Sequence, residues 1–144
     1  MKHAIITGGA MSIGFETAKQ LVSQGVGVSL IDISETALTK AFVVLGSMVD
    51  TYIADVSKSS DVERVISEIV KKHPNISYIV NTPAANPHIP FCELTMNQIQ
   101  EVVDLTLTSY AYTIKACWDF LEKGSSIVNI SSVHGFTTYK GNSM

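Results

Sequence analysis

Between an apolar run at residues 3–7 and a helical pattern beginning near Ile13 stands Thr7-Gly8-Gly9-Ala10-Met11-Ser12-Ile13-Gly14. Glycines at a strand-to-helix turn permit positive φ. Their missing Cβ atoms also let backbone N–H groups and a helix N-terminus approach an anion, above all a pyrophosphate. Gly8 and Gly14 fit those roles, although an isolated glycine turn can equally be a tight connection. Asp32 changes the balance. It lies 18 residues after Gly14 at the end of the next apolar run, where a carboxylate can accept from a ribose 2′-hydroxyl and repel a 2′-phosphate. No Arg or Lys stands at 10–13 or in the few residues after Asp32, so a 2′-phosphate would find no cation there. The pair implies a dinucleotide site that favours NAD(H) over NADP(H). A helix-cap or turn role is the alternative for Asp32.

Other reactive side chains say less. Ser132 follows the last apolar run and could be a catalytic hydroxyl or a local cap. His134 lies two residues on, without an acid in view to orient it, and His88 sits among Pro83, Pro87 and Pro90. His3 and His73 form no metal-ligand spacing with a Cys or carboxylate, so no metal is expected. Cys92 and Cys117 have no CxxC or zinc-type spacing and read as free thiols without chemistry.

These residues are positioned by alternating strands and helices. Residues 3–7, 26–31, 49–53, 78–81 and 126–130 read as strands. Helices are expected at 13–24, at 35–45 behind a Ser34 cap, and from a Ser59 or Ser60 cap to the stop at Pro74. Val62, Val65, Ile66, Ile69 and Val70 trace one face of this last helix. The three prolines make 82–93 a loop, and a long helical region follows from Thr95 to about Lys123, bent near Thr106 to Thr108 and closed by Gly124. Residues 131–144, rich in Ser, Thr, Gly and Asn, read as loop. The fold class is therefore α/β, a Rossmann-type doubly wound parallel sheet with helices on both faces. Ligands of such sheets lie beyond the carboxyl ends of the strands, where Gly8, Asp32, Asn81 and Ser132 are expected to gather.

Residues 1–144 suit one domain with a single core. A hydrophobic share of 46%, a charged share of 16% and a net charge of −3 give no basic surplus to draw nucleic acid or an anionic membrane. No apolar run reaches the roughly 18 residues a membrane span needs. Met1 leads almost directly into the first strand, so a cytoplasmic location is expected.

Over essentially its whole length the chain resembles the first part of a short-chain dehydrogenase/reductase. That family's Thr-Gly-x-x-x-Gly-x-Gly turn matches residues 7–14, its Asp-Val beside the adenine matches Asp55-Val56, and its Asn-Ile-Ser-Ser strand end matches Asn129-Ile130-Ser131-Ser132. The resemblance implies that Thr7, Gly8, Ser12, Ile13, Gly14, Asp32, Asp55, Val56 and Asn81 hold the cofactor. It makes Ser132 the catalytic serine that hydrogen-bonds a small alcohol or ketone substrate. Three departures stand out. Ser12 replaces the middle glycine, as a serine does in divergent enoyl-reductase members. Asn81-Thr82-Pro83-Ala84 replaces Asn-Asn-Ala-Gly, and Thr106 holds the position of the relay asparagine. The family's proton-transfer tyrosine would fall at position 145 with a lysine four later, and Tyr139 is no substitute because the residue four after it is Ser143. General acid–base transfer supplies about 10²- to 10⁴-fold of rate, so this chain alone is not expected to turn over. Two readings stay open: the cofactor-binding part of an NAD-dependent oxidoreductase, or a non-catalytic dinucleotide-binding module acting as sensor or subunit partner. The family's later strands and helix would cover strand five and the helix at 107–122. With Ile114, Trp118 and Leu121 uncovered and the sheet incomplete at that edge, self-association is expected.

Overall fold

A computed structural model describes residues 1–137. Among the described residues five strands form one parallel sheet: β1 (His3–Thr7), β2 (Gly27–Asp32), β3 (Val49–Ile53), β4 (Ile76–Asn81) and β5 (Leu121–Asn129), in the order β3-β2-β1-β4-β5. The crossovers are helical: α1 (Ser12–Ser23), α2 (Glu35–Leu45), α3 (Ser59–Lys72), α4 (Met96–Val103) and α5 (Ser109–Cys117). Every residue of β1 and β2 is buried, as expected for strands covered on both faces.

Two apolar layers enclose the sheet. On one side Ala18 of α1 with Leu38 and Ala41 of α2 pack on Ala4, Ile6, Val28 and Leu30. On the other, Val62, Val65, Ile66 and Ile69 of α3 and Cys117 of α5 pack on Ile5, Ile31, Ile76 and Ile79. The four α3 side chains are at most 2% exposed, each worth about 1.5–3 kcal/mol of burial. Packing, rather than intrinsic propensity, holds this helix. The same burial pushes the Cys117 thiol up to about 12, an inert core group, whereas Cys92 is exposed.

The first three strands and helices lie within a residue or so of their expected ends, and Ser34 Oγ accepts from Ala37 N–H as the cap of α2. The α3 cap differs. Lys58 is the N-cap and makes no side-chain cap bond, because the preceding turn is organised from within. Asp55 Oδ1 accepts from Ser57 N–H at 3.1 Å and from Ser57 Oγ at 2.6 Å, and Asp61 accepts from Asp55 N–H.

The larger differences fall at β5. The helical region ends at Cys117 and a short turn Trp118–Phe120, not at Lys123, and β5 begins at Leu121. Leu121 pairs with Ile76 while Tyr78 pairs with Ser126, so Gly124 sits inside a bulge with φ +87°. Pairing with β4 and the packing of Phe120 and Leu121 on the core override the helical pattern. The expected bend is a π-helical segment, Asp104–Thr108, between α4 and α5. Within the described residues β3 and β5 are the edges. On β5 Ile127 and Val128 are 36% and 45% exposed.

Candidate functional site

A cleft of about 690 Å³ opens at the carboxyl ends of the strands, lined by Gly8, Ser12, Ile13, Asp32, Asp55 and Val56 among others. Six of the expected cofactor residues thus share one wall system. The turn that brings them together is tightly determined. Gly8 has φ +65°, and a Cβ on Gly14 would collide with the Gly8 carbonyl oxygen and come within 2.9 Å of Gly9 Cα. Gly14 therefore serves close approach within the turn and does not itself line the cleft. Ser12 sits at φ +49°, in the left-handed region that glycine enters freely and a serine enters at about 1–2 kcal/mol.

Asp32 is 9% exposed and does two jobs. Its Oδ2 accepts from Ala10 N–H at 3.1 Å and its Oδ1 from Ser34 N–H at 3.0 Å, which ties the glycine turn to the start of α2. A carboxylate has about four acceptor sites, so each oxygen keeps one for a ligand hydroxyl. Asp55, between Ser57 and Lys58 (3.2 Å), is held below the usual carboxylate range, first by the Ser57 hydroxyl.

Thr7 and Asn81 lie beneath the cleft. Thr7 Oγ1 donates to Asn81 Oδ1 (2.9 Å) and Asn81 Nδ2 to Asn129 Oδ1 (2.8 Å), a polar ladder that runs from buried β1 and β4 to the exposed Asn129 of β5. Both side chains are at most 1% exposed, so they brace the strand ends that present Gly8 and Thr82. Beyond Asn81 the chain crosses the cleft wall as Thr82, Pro83, Ala84 and Ala85. Tyr110, on α5, donates its hydroxyl toward Pro83 O (2.8 Å) and Ile130 O (3.1 Å), with its pKa raised by burial. One phenol thereby joins the exits of β4 and β5.

Ser132 and Thr106 stand apart from the cleft lining. Ser132 is exposed and its Oγ accepts from His134 N–H at 3.2 Å, capping a short turn. Thr106 Oγ1 donates to Val102 O at 2.6 Å within the π-helical segment, a helix irregularity often found at functional sites. Tyr139 and Ser143 lie outside the described residues. Glu101, Asp104 and Leu105 complete the far wall and were not singled out from the sequence. Their i, i+3, i+4 spacing on one helix face was the available signal. Among the described residues no lysine, arginine or histidine lines the cleft, and no group of His, Cys, Asp and Glu could hold a metal ion.

The sequence pattern of the family described as short chain dehydrogenase matches residues 2–144. Dehydrogenase/reductase SDR family member 4 of Mus musculus is 30% identical over 144 residues, spanning 96% of this chain and 52% of that protein. Short-chain dehydrogenase reductase 3b of Arabidopsis thaliana is 29% identical over 153 residues, with 96% and 60% covered. Among solved structures, levodione reductase superposes with a TM-score of 0.89 at 25% identity, covering 99% of this chain and 58% of that one. A short-chain dehydrogenase from Brucella melitensis gives 0.92 at 23%, covering 98% and 61%, a likeness of fold. The chain spans about half to three fifths of these relatives' length.

Proposed function

The chain belongs to the short-chain dehydrogenase family, and from that membership we propose that residues 1–144 form one dinucleotide-binding unit of an oxidoreductase acting on a small alcohol or ketone with NAD(H). The observation that carries this reading is the cleft itself. Gly8, Ser12 and Ile13 stand at or just before the N-terminus of α1, with an Asp32 that retains acceptor capacity and no cation lining the wall among the described residues. These residues fit the cofactor: the glycines let the turn fold closely enough to set the start of α1 at the cleft, the α1 dipole and its first N–H groups favour a pyrophosphate, and Asp32 accepts from a ribose 2′-hydroxyl while repelling a 2′-phosphate. Asp55 and Val56 would border the adenine.

In this reading a bound nicotinamide supplies the hydride chemistry. The chain's own contribution is to bind and orient it, with Ser132 donating to the substrate oxygen and Thr106 standing at the relay position. Among the described residues no tyrosine or lysine lines the cleft, and in this reading those residues bind the cofactor without themselves carrying the proton transfer. The same fact favours a second reading, a non-catalytic dinucleotide-binding partner. The proposal places the protein in the cytoplasm, and within the described residues no helix is long and apolar enough to cross a membrane. It also has the chain self-associate through α5 and the β5 edge, where Trp118 is 63% exposed.

The test is a fluorescence titration of the full chain with NADH and NADPH, beside light scattering and the intact mass of the native gene product. Tighter binding of NADH, with the preference lost in Asp32→Ala, is expected. Equal wild-type affinities would remove Asp32 as the discriminator, and no binding of either would overturn the dinucleotide reading. A clean monomer would remove the self-association. A native mass well above 15.6 kDa would favour the enzyme over the binding partner.

A further inference from the structure

The peptide between Gly8 and Gly9 joins two glycines, the softest link in the turn, yet it is held at both ends. Its N–H donates to Ile31 O of β2 at 3.3 Å. Its carbonyl oxygen, Gly8 O, lies 3.1 Å from the Thr82 hydroxyl, which also donates to Thr7 O at 2.7 Å. Thr82 N–H reaches the same Thr7 carbonyl at 3.1 Å, so backbone and side chain of one residue fasten the end of β1 to the end of β4. The hydroxyl fills the space over both turn glycines: a Cβ on Gly8 would stand 2.7 Å from Thr82 Oγ1 and one on Gly14 3.0 Å.

We propose that Thr82 is a positioning residue for the dinucleotide. The inference rests on the reading of the cleft as a dinucleotide site. A peptide is planar, so fixing the direction of Gly8 C=O fixes that of Gly9 N–H. A flip of this peptide would break both bonds and swing a carbonyl oxygen, the negative end of the dipole, to a new direction beside the N-terminus of α1. The Thr82 hydroxyl opposes that flip by sharing its one proton between Thr7 O at 2.7 Å and Gly8 O at 3.1 Å. The need for a latch is greater here than in an all-glycine turn relaxed in every residue, because Ser12 at φ +49° loads the same turn with strain. Thr82 lines the cleft as well, so the latch sits where the pyrophosphate would lie.

The experiment compares Thr82→Val, which keeps the shape and removes the donor, with Thr82→Ser, which keeps the donor, both in the full chain. The NADH affinity of Thr82→Val is expected to fall about tenfold, the scale of one lost hydrogen bond to a poorly solvated carbonyl. Thr82→Ser is expected to stay within about threefold of wild type. Adenosine, which carries no pyrophosphate, is the control ligand and is expected to bind both variants as it binds wild type. Thr82→Ala repeats the donor loss without a branched side chain should the valine disturb folding. Equal NADH affinity in wild type, valine and alanine variants overturns the proposal. So does a parallel loss of NADH and adenosine, which marks a merely structural residue. A wild-type chain that binds adenosine but not NADH, or neither, refutes the dinucleotide reading instead, which keeps the two failures apart.

Discussion

The two ends of the sheet carry polar clusters of opposite character. At the carboxyl ends Asp32, Asp55, Glu101 and Asp104 face a cleft, and Ser12 is held at positive φ beside it. At the amino ends His3, Ser29, Asp50, Lys72 and His73 close on one another. His3 is 4% exposed, its Nε2 lies 2.9 Å from Ser29 Oγ, and its ring stacks on His73 at 3.7 Å. His73 Nε2 is 2.8 Å from Asp50 Oδ2, and Lys72 Nζ 3.4 Å from Oδ1. One end keeps acceptor capacity and strain in reserve, as a binding site does. The other pairs its polar groups internally, save the buried His3 Nδ1, which has no hydrogen-bond partner among the described residues, so its energy appears as stability.

Acid should separate the ends most strongly. Burial, with the nearby His73, lowers the His3 pKa from 6.5 to about 4. The folded state thus binds fewer protons than the unfolded chain between those values. The stability from neutral His3 is complete above about pH 6.5 and is lost as pH falls toward 4, by about 2–3 kcal/mol. Denaturant midpoints at pH 7 and pH 4.5 check this, and a flat profile would break the contrast. Asp50 adds to it later. Burial raises its pKa, but the hydrogen bonds of His73 and Lys72 prevail and hold it below 3.8, so its contribution fades only below that pH.

Gly14→Ala should be next, destabilising the chain by about 2 kcal/mol because the new Cβ meets backbone rather than a flexible side chain, with NADH binding lost in parallel. Asp50→Asn and Asp32→Ala then form a crossed pair. Asp50→Asn is expected to lower stability by about 1 kcal/mol and leave NADH affinity within about twofold. Asp32→Ala is expected to cut the NADH-over-NADPH preference about tenfold, and it removes the acceptor of Ala10 and Ser34 N–H as well. Matching effects on binding in both variants would erase the distinction. The smallest effect is a gain: Ser12→Gly should raise stability by about 0.5–1 kcal/mol, measured as a higher melting temperature.

How far the sequence reaches follows the locality of each determinant. The part from β1 to α3 was legible because its signals lie within a turn or a face: the glycines of 7–14, the Ser34 cap, the periodicity of α3. Asp32 was readable as the carboxylate that ends β2, but not as the acceptor for Ala10 N–H, which requires β1 and β2 side by side. The β4–β5 half was read less well. Glu122 and Lys123 continue a helical pattern, yet Leu121 is strand because it pairs with Ile76 across 45 residues of chain.

By itself, then, the sequence determined the alternation of strands and helices, the glycine turn and the carboxylate that follows it, since these rest on local backbone sterics and on periodicity within single elements. Tertiary structure alone decided where β5 begins, that Glu101 and Asp104 line the cleft, and that the Thr82 hydroxyl lies 3.1 Å from Gly8 O. Each of those depends on which strand ends the sheet brings within hydrogen-bond distance, and that distance is set by packing between segments far apart in the chain.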